Sequence, residues 1–161
     1  MAGLIIGVDP GLTGALAAID IDGNAVAVHD LPVIRDGKLS WIDGGALQSL
    51  LLDITRGTPL ESVRAVVERV GAMPKQGISS AFNFGAGFGS VLSILQARAI
   101  PIELVTPAVW KRAMGLGKDK DASLNKARLL FPAADLCLRR HDGRAEALLL
   151  ALWRLKQGGK A

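Results

Sequence analysis

The sequence predicts an α/β domain built on a mixed sheet. Three observations lead there. Three strand-like apolar runs come first, joined by short turn signals; two more follow, separated by helical segments. The 161 residues also contain no repeat, linker or low-complexity block that would divide them. Residues 1–157 are expected to form one domain with a proper core, and residues 158–161 a frayed tail.

The elements follow in order. "LIIGVD" (4–9) has the apolar density of a buried strand, and "ALAAIDID" (15–22) is its hairpin partner. "AVAVHDL" (25–31) alternates like a third antiparallel strand after the turn signal "DGN". Residues 32–42, with Pro32 and "RDGK", are expected to be loop. "DGGALQSLLLDITRG" (43–57) has helical spacing and a glycine stop. "VRAVVERV" (63–70) is a valine-rich fourth strand, and residues 79–99 a long helix with three glycines in its first half. "IPIELVTP" (100–107) is a fifth strand. Short helices are expected at 107–114 and 122–132, the second stopped by Pro132, and a terminal helix at 141–157.

Composition narrows the chemistry. No uninterrupted apolar run approaches the roughly 20 residues of a membrane span, and the opening "MAGLIIGVDPG" lacks the basic region of a signal peptide. A single cysteine, Cys137, excludes an internal disulfide and a cysteine-clustered zinc site; two histidines, His29 and His141, are too few for a histidine-based centre. A bound metal should therefore be a hard cation on carboxylate oxygens, Mg²⁺ or Mn²⁺. The formal charge of +4, from 19 basic and 15 acidic residues, is compatible with nucleic acid. Basic residues concentrate in "WKRAMGLGKDKDASLNKAR" (110–128) and "LRRHDGR" (138–144).

Four acids interrupt apolar surroundings. Asp9 ends the first strand, Glu68 lies inside "AVVERV", and Asp142 and Glu146 open the last helix four residues apart on one face. Carboxylates converging from rigid strand ends and a helix start are what two-metal phosphodiester hydrolysis requires. Plainer roles are open for each. Asp9 suits a "DPG" turn, Glu68 suits an edge strand or an ion pair with Arg64 or Arg69, and Asp142 suits a helix cap. A capping box would place its acid at Ala145, so capping leaves Glu146 unexplained.

The order of the acids along the chain, carried by "IIGVDPGLTGALAAID", "AVVERV" and "HDGRAEALLLALW", resembles the RuvC-type Holliday junction resolvases of the RNase H-like nucleases. The segment "ELVTPAVWKRAMGLGKDKDAS" adds to it, and "GAMPKQGISSAFNFGAGFG" looks more like phage-encoded members than cellular ones. The resemblance implies an RNase H-like fold, a five-stranded mixed sheet flanked by helices. It implies a homodimer that resolves four-way DNA junctions with Mg²⁺ or Mn²⁺, in the cytoplasm of a bacterial or phage-infected cell. It makes Asp9, Glu68, Asp142 and Glu146 the metal ligands. Cellular resolvases place their last two catalytic groups three residues apart, ending in aspartate. Here Glu146 fills the last place and Gly143 stands three before it, so Asp142 or His141 must supply the other. "DPGLTG" also fits the phosphate-binding hairpin of actin-like and sugar-kinase-like ATPases, although those need two such domains. A nuclease of the same fold acting on hybrid or flap substrates, and a non-cutting binder of branched DNA, are the other readings.

A junction needs a broad basic surface, and Lys75, Lys111, Arg112, Lys118 and Lys120 are the candidate DNA contacts. Lys118 and Lys120 also suit a role at the scissile phosphate. Helical spacing assigns Phe84 and Phe88 to the core; Phe82 is offset, which suits core packing first and a wedge against a base second. His141 suits either water activation or a polar place at the helix start.

Overall fold

The computed structural model describes residues 3–69, 71, 77–117, 119 and 121–158. Strands β1 (Leu4–Asp9), β2 (Ala15–Asp20) and β3 (Ala25–Asp30) form an antiparallel meander. Helix α1 (Gly44–Ile54) leads to β6 (Val63–Glu68), helix α2 (Ile78–Ala97) to β7 (Ile102–Val105), and helices α3 (Pro107–Ala113), α4 (Ala122–Leu130) and α5 (Asp142–Gly158) complete the chain. The sheet order is β3-β2-β1-β6-β7, with β1, β6 and β7 parallel. This is the mixed five-stranded sheet expected from the pattern.

The period-2 alternation of the strands sorts their side chains onto two cores. Leu4, Ile6 and Val8 of β1 join Val63, Ala65 and Val67 of β6 against α1 and α2. Ala15, Ala17, Ile19 and Val66 face the other way, onto α3, α4 and α5. Asp9 and Glu68 share that second parity. Since Val8 pairs with Val67, the two acids stand one step further along adjacent parallel strands, on the face that α5 covers.

Close backbone contact seats α5 there. A Cβ on Gly7 would lie 2.0 Å from the Ala147 carbonyl oxygen, so strand and helix touch main chain to main chain. Gly14 is as constrained, with its Cβ position 2.1 Å from the carbonyl oxygen of Asp9. Asp43 caps α1 by accepting the Ala46 N–H at 3.0 Å.

One expectation changes. Residues 32–42 are not loop: β4 (Val33–Asp36) and β5 (Leu39–Ile42) form a separate two-stranded hairpin turning at Gly37, φ +56°. Most of its side chains are exposed, which removes the alternation that would have revealed it. Helix α2, 20 residues without a charged side chain, is long and apolar enough to cross a membrane by length and composition. In the fold, its Val91 and Leu95 are buried in the core under the sheet, and Gly87 is buried against the Pro10 carbonyl and Ile42.

Candidate active site

Asp9 sits at the C-terminal end of β1 because the chain turns there: the Gly14 N–H closes the turn on the Gly11 carbonyl at 2.9 Å. The turn role and the site role coexist, since the Asp9 carboxylate also accepts the Gly11 N–H. Glu68 ends β6 and is only 5% exposed. It is no edge-strand charge, because β6 lies between β1 and β7. Arg64, its expected partner, donates instead to the carbonyls of Glu61 and Val63 at 2.7 and 2.9 Å. Glu68 accepts a hydrogen bond from the indole of Trp110 at 3.3 Å.

Helix α5 brings the other two acids. Asp142 is its first residue, with its carboxylate accepting the Gly143 N–H at 2.9 Å. Glu146, one turn on, accepts the Lys111 ammonium at 2.6 Å and the Ser123 hydroxyl at 3.1 Å. Gly143 lies between them and against Asp9: a Cβ there would stand 3.3 Å from Asp9 Oδ2 and 3.0 Å from the Thr13 carbonyl. Any side chain three residues before Glu146 would press on Asp9 and the Thr13 carbonyl unless they gave way.

Electrostatics join the acids into one group. Burial, followed by the charges of Glu146 and Asp142, pushes the Asp9 carboxyl up to about 6. Burial, followed by Glu146 and Asp9, pushes Glu68 up to about 7. Lys111 opposes both shifts. Burial pushes its own ammonium down, but its bond to Glu146 and the charges of Glu68 and Asp9 outweigh that and raise it. Among the described residues, no basic group forms an ion pair with Asp9 or Glu68. The acids therefore form one coupled group with a single cation, Lys111, beside them. Among the described residues, no three of these acids bring ligand oxygens to within 4.8 Å of one another. Hard oxygen donors of like charge suit a divalent cation.

The other predicted residues fall in several places. Lys111 points into the cluster and lies 5.3 Å from the Trp110 ring centroid, while Arg112 beside it is exposed. Lys75, Lys118 and Lys120 lie outside the described residues. Phe82 is 74% exposed, contrary to the core role placed first for it. Phe84 lies against the Asp9–Gly14 turn, and Phe88 packs on the α1/α2 core. His141 is buried, but its Nδ1 faces Asp135 Oδ1 at 3.7 Å, so its surroundings give no support to water activation among the four acids. Trp110 and Ser123 went unnoticed in the sequence. An indole in an apolar helix and a serine in a basic stretch carry no signal of an acid partner.

No family model matches the chain. It is 38% identical over 87 residues to the chloroplastic Holliday junction resolvase MOC1 of Chlamydomonas reinhardtii, a match covering 52% of this chain and 10% of that protein. The chain thus spans about a tenth of the length of that relative. Among solved structures it resembles T. thermophilus RuvC in complex with a Holliday junction substrate, with a TM-score of 0.70 at 16% identity over 98% of this chain and 96% of the other. It also resembles a Thermus thermophilus RuvC structure, with a TM-score of 0.57 at 19% identity and 96% coverage of both chains. The chain has the RNase H-like fold of those proteins.

Proposed function

We propose that this chain, which has the fold of RuvC, is a structure-selective endonuclease that resolves four-way DNA junctions by metal-dependent phosphodiester hydrolysis. The observation that carries the reading is the electrostatic convergence of Asp9, Glu68, Asp142 and Glu146 at adjacent strand ends and one helix start. The local likeness to a protein named as a junction resolvase supports the choice of substrate.

Asp9, Glu68, Asp142 and Glu146 would hold Mg²⁺ or Mn²⁺, which supplies charge for the phosphate and a more acidic water when bound. The chain's own residues do the rest. Trp110 fixes one oxygen of Glu68, and Ser123 and Lys111 fix Glu146, so the carboxylates keep their orientation without a ligand. The Lys111 ammonium stands in for part of the positive charge the cluster needs. It is also placed to face a phosphate oxygen entering beside Glu146. Arg112, with Lys75, Lys118 and Lys120, would contact backbone phosphates of the junction arms.

Symmetric resolution needs two cuts on opposed strands and hence two such clefts. A homodimer is therefore part of the reading, supported by the exposed apolar start of α2 at Ile78 and Phe82. A panel of four-way junction, flap and RNA–DNA hybrid, each with Mg²⁺ or Mn²⁺, tests the function. Paired symmetric cuts in the junction are expected, lost in Asp9→Asn with junction affinity unchanged or higher. Preferential cleavage of the hybrid or flap would replace the junction by that substrate.

A further inference from the structure

A second cluster lies on the β3 side of α5, and the nuclease reading makes no use of it. We infer that Asp135, Cys137 and His141 form a separate soft-metal site suited to Zn²⁺. Among the described residues they are the one group of three metal-ligating side chains whose ligand atoms lie within 4.8 Å of one another.

Three features argue for a ligand. The His141 side chain is 5% exposed, yet its Nδ1 is buried with no hydrogen-bond partner and faces Asp135 Oδ1 at 3.7 Å. That is too long for a hydrogen bond, and a buried unsatisfied nitrogen is costly unless something occupies its lone pair. Cys137 Sγ stands 3.2 Å from the same oxygen. Edges of about 3.3–3.8 Å are what tetrahedral zinc at bonds of about 2.0–2.3 Å requires. The 3.7 Å separation lies inside that range, and the 3.2 Å one, now a thiol-to-carboxylate hydrogen bond, must open by a few tenths of an ångström when the proton leaves. Finally, Asp135 is already oriented. Its other oxygen takes Arg144 Nη1 at 2.7 Å, and Arg144 is itself fixed by Asp30 at 2.6 and 2.9 Å. A ligating carboxylate held by an outer partner is the usual arrangement at such centres.

Neither the single cysteine nor the histidines could build a site of one residue type, but one of each with an aspartate makes a mixed one. The order Asp-x-Cys-x₃-His runs from the segment after α4 to the end of the 3₁₀ turn (Arg139–His141) that precedes α5. Binding would displace the thiol proton to solvent and use neutral imidazole through Nδ1, with water as the fourth ligand. Its effect would be to fasten residues 135–141 to the start of the helix that carries Asp142 and Glu146.

The test uses the full chain carrying Asp9→Asn and Glu68→Gln, which weakens the hard-cation cluster, stripped with chelator and titrated with Co²⁺. One equivalent should bind with a cobalt–thiolate charge-transfer band, and Zn²⁺ should displace it. Cys137→Ser, an exposed and nearly isosteric change, should abolish the band while the far-UV circular dichroism stays unchanged. His141→Gln should weaken Zn²⁺ binding by about tenfold or more, at least the loss typical of removing an outer-shell partner. Absence of the band, or a band that survives Cys137→Ser, would overturn the site. Metal-independent pairing of protonated His141 with Asp135 would give no band and count against it equally. None of these readouts depends on DNA cleavage, so the site stands or falls apart from the nuclease reading.

Discussion

Lys111 Nζ and Glu146 Oε1 lie 2.6 Å apart, joining a helix after the last strand to the helix that closes the domain. The pair is half-buried and sits among acids that have no other counter-ion among the described residues. Breaking such a pair leaves an uncompensated charge in a poorly solvated place. Lys111→Met should therefore lower the melting temperature in chelator at pH 7–8, and a millimolar divalent cation should restore more of it than in the parent. An equal response to the cation in both proteins would separate Lys111 from the acid cluster.

The raised carboxyls make stability depend on pH in a defined direction. Asp9 at about 6 and Glu68 at about 7 hold their protons more tightly folded than unfolded, where carboxyls titrate near 4. The folded state therefore binds more protons between those limits, and stability falls as pH rises from about 4 to about 7. Glu68→Gln keeps an acceptor for the Trp110 indole and removes the charge. In chelator it should melt a few degrees above the parent at pH 8, with the gap closing at pH 4. A gap independent of pH would refute the assignment of Glu68 to the coupled group.

Gly143 offers a way to disturb the centre without touching an acid. A methyl there would meet the Thr13 carbonyl at 3.0 Å and Asp9 Oδ2 at 3.3 Å, contacts that require the start of α5 to give way. Gly143→Ala should cost about 1–3 kcal/mol of stability in denaturant titration, the range for overpacking. It should slow single-turnover cleavage, with junction affinity retained. Cleavage at the parental rate would show that the Asp9–α5 spacing is not critical.

The exposed phenylalanine separates two roles by independent readouts. Phe82→Ser should convert a dimer to monomer in sedimentation if α2 forms the interface. If Phe82 wedges against a base, it should leave the dimer intact and reduce junction cleavage. No change in either measurement would return Phe82 to an ordinary exposed side chain.

Asp9 and Glu68 were visible before any fold because each broke an apolar run, and strand parity then placed them on one face; Asp142, inside the polar stretch "LRRHDGR", stood out only through its spacing to Glu146. What surrounds them was not visible. Lys111 sits in a basic stretch and invites a phosphate partner, yet α3 turns it inward onto Glu146. His141 adjoins Asp142 in sequence, but a 3₁₀ turn over Arg139–His141 directs it to Asp135 instead. Adjacent residues entering a helix point apart by about 100°, so sequence proximity to a site acid says little there. The β4–β5 hairpin did leave a trace, "DGK" at its turn, but strands of four residues with exposed faces give no hydrophobic period to confirm it.

The Gly7–Ala147 crossing has a mechanical meaning for the centre in front of it. The joint lies two residues before Asp9 and one after Glu146, and it contains no side chain that can change rotamer or repack. It acts as a fixed pivot, where strand and helix cannot slide past one another without movement of the backbone itself. Adjustment of the centre to a larger or smaller ion falls instead to the parts that side chains hold. Among them Glu68 is held by the indole of Trp110, a side chain that can be exchanged.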